Sequence, residues 1–179
     1  MLNIEHLTKT YGEKKAVDDL NLHIRPGEIY GFIGHNGAGI ADIFGVSADD
    51  RQARIRDYAA RFELTDDLAQ PIAAYSHGMK QKLVIIAAWL HEPQLILMDE
   101  PFVGLDPKAA HLLKGMMRET CDRGGAIFFS THVLEVAEKL CDKVAIIKGG
   151  RLIRSGTMEE VKGDDSLEEV FLELEGESC

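Results

Sequence analysis

An α/β fold organised on a parallel sheet is what this sequence predicts, and three observations carry the expectation. Residues 95–107 (LILMDEPFVGLDP) set four apolar side chains, Leu95, Ile96, Leu97 and Met98, directly before the adjacent carboxylates Asp99 and Glu100. A short, wholly apolar run suits a strand buried on both faces, as in a parallel sheet. Residues 28–33 (EIYGFI) and 126–131 (AIFFST) share that character. Between these runs lie stretches of helical period with their own capping residues, the alternation that wraps helices over a sheet.

The 95–107 run also ends informatively. Pro101 stops the ladder because it has no N–H to give. Two acids at the C-terminal edge of a strand sit where open α/β sheets bind ligands. One of them can hold a hydrated Mg²⁺, since hard cations take oxygen ligands. The other, one step along the pleat, can polarise a water. Taken alone, the run reads better as a strand closing in a polar turn, and its neighbours must decide.

Length and composition bound the answer. At 179 residues the chain can bury a proper core as one domain. Its 45% hydrophobic and 28% charged content match an ordinary soluble globular protein. The formal net charge of −10 comes without any long Lys/Arg block, which argues against nucleic acid as a partner. Cys121, Cys141 and Cys179 are widely spaced and form no CxxC pair. Zinc and a disulfide framework are therefore not expected, and a reducing cytosol fits. The opening MLNIEHLTKTYG does not read as a signal peptide. The longest purely apolar run, 83–90, is far short of a membrane span.

In chain order, residues 2–7 and 17–24 read as two strands, with Tyr11 in the turn after the first. An exposed ring there could stack on a base or simply pack the turn. Arg25-Pro26-Gly27 is a turn signal leading into the strand 28–33. Gly34, His35, Asn36, Gly37, Ala38 and Gly39 follow it directly. A glycine-rich loop after a buried strand can turn its N–H groups onto phosphate oxygens, or can be a plain turn. A full phosphate loop reads GxxxxGK[ST], but Ile40 and Ala41 occupy its last two positions. Residues 49–64 read as an amphipathic helix with Ile55, Ala59 and Phe62 on one side, and 70–75 as a loop.

Ser76 is a good N-cap for the helix beginning SHGMKQKLVIIAAWLH, and Gly78 leaves its positive end open to anions. Ordinary capping explains both residues equally well. Residues 83–90 are apolar all round, which predicts a deeply buried helix. Asp106 and Pro107 start the next helix as N-cap and first helical residue, with Leu112, Leu113, Met116 and Met117 as its buried stripe. His132 stands after the strand 126–131, able to open a helix or to hydrogen-bond a terminal phosphate. A helix at 133–141 and a hairpin of 144–148 with 151–155 follow, then two capping boxes, Thr157/Glu160 and Ser166/Glu169. Leu167, Val170, Phe171 and Leu174 give the last helix one apolar face for docking on the core.

Together these pieces resemble the nucleotide-binding subunit of ATP-binding-cassette (ABC) transporters. Tyr11 looks like the adenine-stacking aromatic, and residues 34–39 like the first part of the Walker A loop. Residues 75–81 (YSHGMKQ) are similar to a variant LSGGQ signature, and 95–100 to Walker B. Residues 104–107 resemble the D-loop, and Thr131-His132 the switch histidine. Signature, Walker B, D-loop and His follow in family order, and the resemblance covers nearly the whole chain. It implies a P-loop NTPase (ABC ATPase) core with a mixed sheet and a helical subdomain, internally truncated after Gly39.

The implied division is 1–39 for the first strands and partial Walker A loop and 40–91 for the helical subdomain with the signature helix. Residues 92–156 form the rest of the core, and 157–179 the C-terminal helices. The implied cofactors are ATP and Mg²⁺. The implied partners are a second nucleotide-binding subunit, as homo- or heterodimer, and transmembrane permease subunits. The implied place is cytoplasmic, peripheral at the inner face of the cell membrane.

Residue by residue, the resemblance assigns Asp99 to the metal, Glu100 to the general base and His132 to the γ-phosphate. Tyr11 and residues 34–39 belong to the nucleotide. Ser76 and Gly78 act on the partner's nucleotide, and Asp106 links the two sites. The departures are equally specific. The Walker A Lys and Ser/Thr, the helix after them and the Q-loop glutamine have no counterpart here. An internal deletion, a joining of separate pieces, or a degenerate subunit would each produce this pattern. Exposure of the sheet face that the helix would cover favours the first two. Losing two charge-assisted contacts removes roughly 3–6 kcal/mol of nucleotide binding, on the order of two to four decades in affinity. Hydrolysis suffers more, because the lost Lys also meets charge developing in the transition state. The chain as written is therefore not expected to turn over ATP alone. Other readings consistent with the resemblance are a non-hydrolytic partner that lends its signature helix to an intact subunit, and a soluble ABC-family protein.

Overall fold

The computed structural model describes residues 2–11, 14–33 and 48–176. Its frame is a five-stranded sheet of β3 (Ile29–Ile33), β4 (Leu95–Asp99), β5 (Ala126–Thr131), β6 (Lys143–Lys148) and β7 (Arg151–Thr157), ordered β4-β5-β3-β6-β7. The first four of these in that order run parallel, and β7 returns antiparallel to β6 across Gly149-Gly150. The sheet is therefore mixed. β1 (Leu2–Tyr11) and β2 (Lys14–Ile24) form a separate antiparallel ribbon. Asp18 N–H donates to the Gly150 carbonyl (2.8 Å), hanging that ribbon on the β6–β7 hairpin.

Each face of the sheet has its own cover. Leu20, Leu22 and Ile24 of the ribbon pack on Ala126 and Ala145. The opposite face presents Ile29, Ile96, Ile127, Phe129, Val144 and Ile146 to the helices. These are α1 (Ala48–Arg61), α2 (His77–Trp89), α3 (Pro107–Asp122), α4 (Leu134–Leu140), α5 (Met158–Lys162) and α6 (Leu167–Gly176). Leu113, Met116 and Met117 form the buried stripe of α3, as their spacing predicts. Trp89, the largest fully buried side chain, donates its indole N–H to Thr120 Oγ1 (3.0 Å), whose own hydroxyl donates to the Met116 carbonyl (2.8 Å). Both polar atoms are thus satisfied inside the core. Burial also raises the thiols of Cys121 to about 11 and Cys141 to about 12, so both stay protonated.

The tail follows its caps. Thr157 and Glu160 make a reciprocal capping box at the head of α5. Ser166 and Glu169 exchange the same pair of bonds at α6 (2.9 and 3.2 Å). Leu167 and Val170 are buried, with Phe171 and Leu174 packed beside them.

Three expectations need correction. β4 is the edge strand of the described sheet, and Leu97 is 40% exposed, so the run is not buried on both faces. α2 is buried on one side through Ile85, Ile86 and Trp89, while Val84 is 63% exposed, because the core touches only one side of it. β1 also extends through Tyr11, whose Cα pairs with Lys14, so Tyr11 ends a strand rather than lying in the turn. No helix among the described residues is long and apolar enough to cross a membrane.

Candidate functional site

Register brings the first group of candidate residues together. Asp99, the last residue of β4, pairs with Ser130 of β5, and the next β5 residue, Thr131, pairs with Ile33 at the end of β3. With β5 between them, the ends of β3 and β4 lie two strand spacings apart, about 10 Å. Residues 34–39, with Ile40, Ala41 and the Gly39–Ile40 junction, continue from β3 and lie outside the described residues.

The hydroxyl of Ser130 donates to Asp99 Oδ1. Glu100 then leaves the strand in a left-handed conformation, φ 45°, which a residue with a Cβ adopts rarely. Its N–H is shared between the Ser130 carbonyl (3.2 Å) and hydroxyl (3.3 Å). Both carboxylate oxygens of Glu100 are engaged: Oε1 with His132 Nδ1 at 2.7 Å, and Oε2 accepting from Thr131 Oγ1 at 3.3 Å. The Glu100 side chain is 22% exposed and the His132 ring 63%. A carboxylate only accepts, so Nδ1 carries the proton of that bond and Nε2 is left for another partner. Thr131, buried beneath them, also accepts from the Val133 N–H (3.1 Å), which fixes the start of the chain beyond His132.

A second group forms at the head of α2. Ser76 accepts from the Met79 N–H (3.2 Å) as N-cap. Gly78 passes so close to the turn at Gly104 that an added Cβ would lie 2.7 Å from the Gly104 carbonyl oxygen. Gly104 has φ +80°, and a Cβ there would meet the His77 ring at 2.6 Å. Both glycines are needed for this crossing. Asp106 accepts from the Ala109 N–H (2.8 Å) as the N-cap of α3 and pairs with Lys82 Nζ at 2.7 Å. The Lys82 hydrogen bond, followed by the backbone bond at the cap, holds the Asp106 carboxyl below the usual carboxylate range.

The structure therefore unites Asp99, Glu100 and His132 at one sheet edge, and Ser76, Gly78 and Asp106 at one helix–turn crossing. Residues 101–106 connect the two groups. Tyr11 ends β1 on the ribbon, and its ring is outside the description. Ser130 with Thr131, and Gln81 with Lys82, are further participants; of these, sequence reading missed Ser130 and Lys82 and named Thr131 and Gln81 only within motifs. The polar end of AIFFST marked the first pair, since hydroxyls closing a buried strand stand at the same edge as Asp99. Lys82 carried no local signal, because its partner lies on another helix.

The donor set can be tested against Mg²⁺. Ser130 takes Asp99 Oδ1, so Oδ2 is available to a cation. Among the described residues no group of three or more His, Cys, Asp or Glu could hold an ion unaided. A Mg²⁺ here would therefore complete its octahedron with nucleotide and water oxygens, the usual arrangement for this ion. The phosphate side fits less well, because Ile40 and Ala41 offer neither ammonium nor hydroxyl.

Comparison with known proteins speaks to the family and the fold. The family described as AAA domain, putative AbiEii toxin, Type IV TA system matches residues 26–138, a P-loop NTPase domain. The uncharacterized ABC transporter ATP-binding protein YhaQ of Bacillus subtilis (strain 168) is 30% identical over 217 aligned residues, covering 90% of this chain and 73% of YhaQ. That alignment is longer than the 179-residue chain, so YhaQ carries a stretch with no counterpart here. A solved ATP-binding subunit of an ABC transporter superposes with a TM-score of 0.87 at 26% identity, covering 97% of this chain and 98% of the other. The dimeric bacterial ABC transporter cassette MJ0796 shares the fold, with a TM-score of 0.74 at 19% identity over 88% of this chain and 99% of its own.

Proposed function

Since the chain belongs to the ATP-binding proteins of ABC transporters, we propose that it is a subunit that binds ATP with Mg²⁺ but is defective in hydrolysis as its sequence stands. The observation that carries this reading is the asymmetry of the site. Asp99, Glu100 and His132 are assembled at the sheet edge, while the sequence beside them lacks the Lys and Ser/Thr that hold phosphates.

In this reading Asp99, its Oδ1 fixed by Ser130, would hold the metal. Glu100 is placed to accept a proton from water, the step that the missing Lys and Ser/Thr leave unsupported, and His132 orients it through the Nδ1 bond and would reach the terminal phosphate by donating Nε2–H when the ring carries both protons. Tyr11 and residues 34–39 contact the nucleotide. Mg²⁺-ATP supplies the phosphoryl group whose transfer to water this family couples to transport, a reaction driven by positioning and electrostatics. The structure of MJ0796 is dimeric, and cbiO1 of Clostridium perfringens is part of the complex cbiONQ. These support a second nucleotide-binding subunit and membrane-embedded permease subunits as partners, on the cytoplasmic face. Ser76 and Gly78 would then act on the partner's nucleotide.

The test is MgATP binding by calorimetry beside phosphate release. Weak, Mg²⁺-dependent binding without turnover is expected, and Asp99→Asn should remove the Mg²⁺ dependence while Glu100→Gln leaves affinity unchanged. Turnover comparable to that of an intact ABC subunit would overturn the hydrolytic defect, and no binding at millimolar MgATP would overturn the nucleotide reading. The intact Ser76–Gly78 crossing favours a second reading, a non-hydrolytic partner that lends its signature helix to a complete subunit. Mixing the two should then raise ATPase activity.

A further inference from the structure

α4 has seven residues, too few to persist as an isolated helix, so its place is set by what packs against it. Ala137 and Leu140 bury one side of it in the core. Its other anchor is Glu138, which reaches the C-terminal helices with both carboxylate oxygens. Oε1 pairs with Lys162 Nζ at the end of α5 (2.9 Å), and Oε2 accepts from the Leu167 N–H that opens α6 (3.0 Å). The Lys162 hydrogen bond, followed by the Leu167 one, holds the Glu138 carboxyl below the usual range. Val161 and Leu167, beside these two contacts, are themselves buried. One side chain thus ties both α5 and α6 to α4.

The other end of α4 starts next to His132. The Val133 carbonyl accepts from the Val136 and Ala137 N–H groups (3.1 and 3.2 Å), and the Val133 N–H donates to Thr131 Oγ1. The His132 ring is 63% exposed, so packing does little to fix it, and its Nδ1 bond to Glu100 lasts only while the helix start stays in place. We infer that Glu138 is a positioning residue for His132: by clasping residues 157–176 to α4, it holds the helix start from which the ring reaches Glu100. What this means for a terminal phosphate rests on the nucleotide reading above. The clasp itself is testable without nucleotide.

The readout is the tautomer of His132 in the full chain, from long-range nitrogen–proton NMR of the imidazoles at about pH 9, above the ordinary imidazole range, with His132→Gln to assign the signal. The bond to Glu100 requires the Nδ1–H form to dominate in the unmodified chain. Glu138→Ala should end that dominance, letting the Nε2–H form appear, and should raise amide exchange at Val136, Ala137 and Leu167 by about tenfold. Glu135→Gln loosens an exposed contact of the same helix with Lys139, away from the C-terminal helices, and should leave the tautomer unchanged. Should Glu138→Ala fail to fold, Lys162→Met, which spares the Leu167 bond, must shift the tautomer the same way by less. An Nδ1–H form that still dominates in Glu138→Ala, or in Lys162→Met where that variant serves, would overturn the proposal. So would an equal change in Glu135→Gln, or an unmodified chain without Nδ1–H dominance. Because no nucleotide is present, failure of the clasp and failure of the nucleotide reading appear in different experiments.

Discussion

The carboxylate edge and the glycine stretch sit at the ends of strands that share β5 as a neighbour, yet they differ sharply. At the β4–β5 edge each of these side chains is held by a neighbour: Ser130 on Asp99, His132 and Thr131 on Glu100, Val133 on Thr131. The stretch 34–41 has the glycines of a phosphate cradle without its cation or hydroxyl. The difference separates two tasks that a complete site performs together. In the proposed reading the residues for metal and water are assembled at the sheet edge, while the sequence after β3 lacks the Lys and Ser/Thr of a phosphate loop. Orientation of a carboxylate at a strand end is set by sheet register and survives as long as the strands pair. A phosphate grip depends instead on particular side chains, the Lys and Ser/Thr that end a phosphate loop.

Repairing the weaker region gives the largest effect that would sharpen this contrast. Ile40→Lys with Ala41→Ser should tighten MgATP binding by roughly two to four decades. Unchanged affinity in calorimetry would mean that the glycine stretch is no phosphate cradle. Damage to the stronger region comes next. Phe129 is fully buried under the edge and meets Phe102 edge-to-face (centroids 5.8 Å apart). Phe129→Ala should destabilise the fold by about 3–5 kcal/mol, read as a drop in the urea midpoint. Ser130→Ala removes the Asp99 contact and one of two acceptors of the Glu100 N–H; about 1 kcal/mol is expected, and no change would show that the edge holds without it.

The smallest effect is a pH dependence. Asp106 has a lowered folded pKa, so its stabilisation is fully present above the unfolded carboxylate value near pH 4 and is lost as pH falls through the folded value. The side chain is 47% exposed, so solvent screening reduces the contribution to about 0.5 kcal/mol. Asp106→Asn should therefore lower the urea midpoint slightly at pH 7 and leave it equal to that of the unmodified chain near pH 2.

Much of the frame was legible because its signals are local. Apolar runs marked β3, β4 and β5, and Ser76, Asp106, Thr157 and Ser166 marked helix starts through their capping chemistry. What escaped depends on neighbours distant in sequence. Leu97 is apolar in an apolar run, but its exposure follows from β4 lying at the sheet edge, which no local pattern records. The one-sided burial of α2 escaped for the same reason: composition cannot say which sides of an apolar helix find a partner. The Lys82–Asp106 pair and the Glu100–His132 bond each join residues far apart in the chain. The grouping of Asp99, Glu100 and His132 was readable only through motif order, and register supplied its geometry.

The left-handed backbone at Glu100 bears on how this position is silenced in any experiment. A β-branched replacement would fight the local torsion and disturb the turn, confounding lost chemistry with lost shape. Asparagine tolerates that torsion and glycine adopts it freely, so these two, beside glutamine, subtract the acid while leaving the path of the main chain alone.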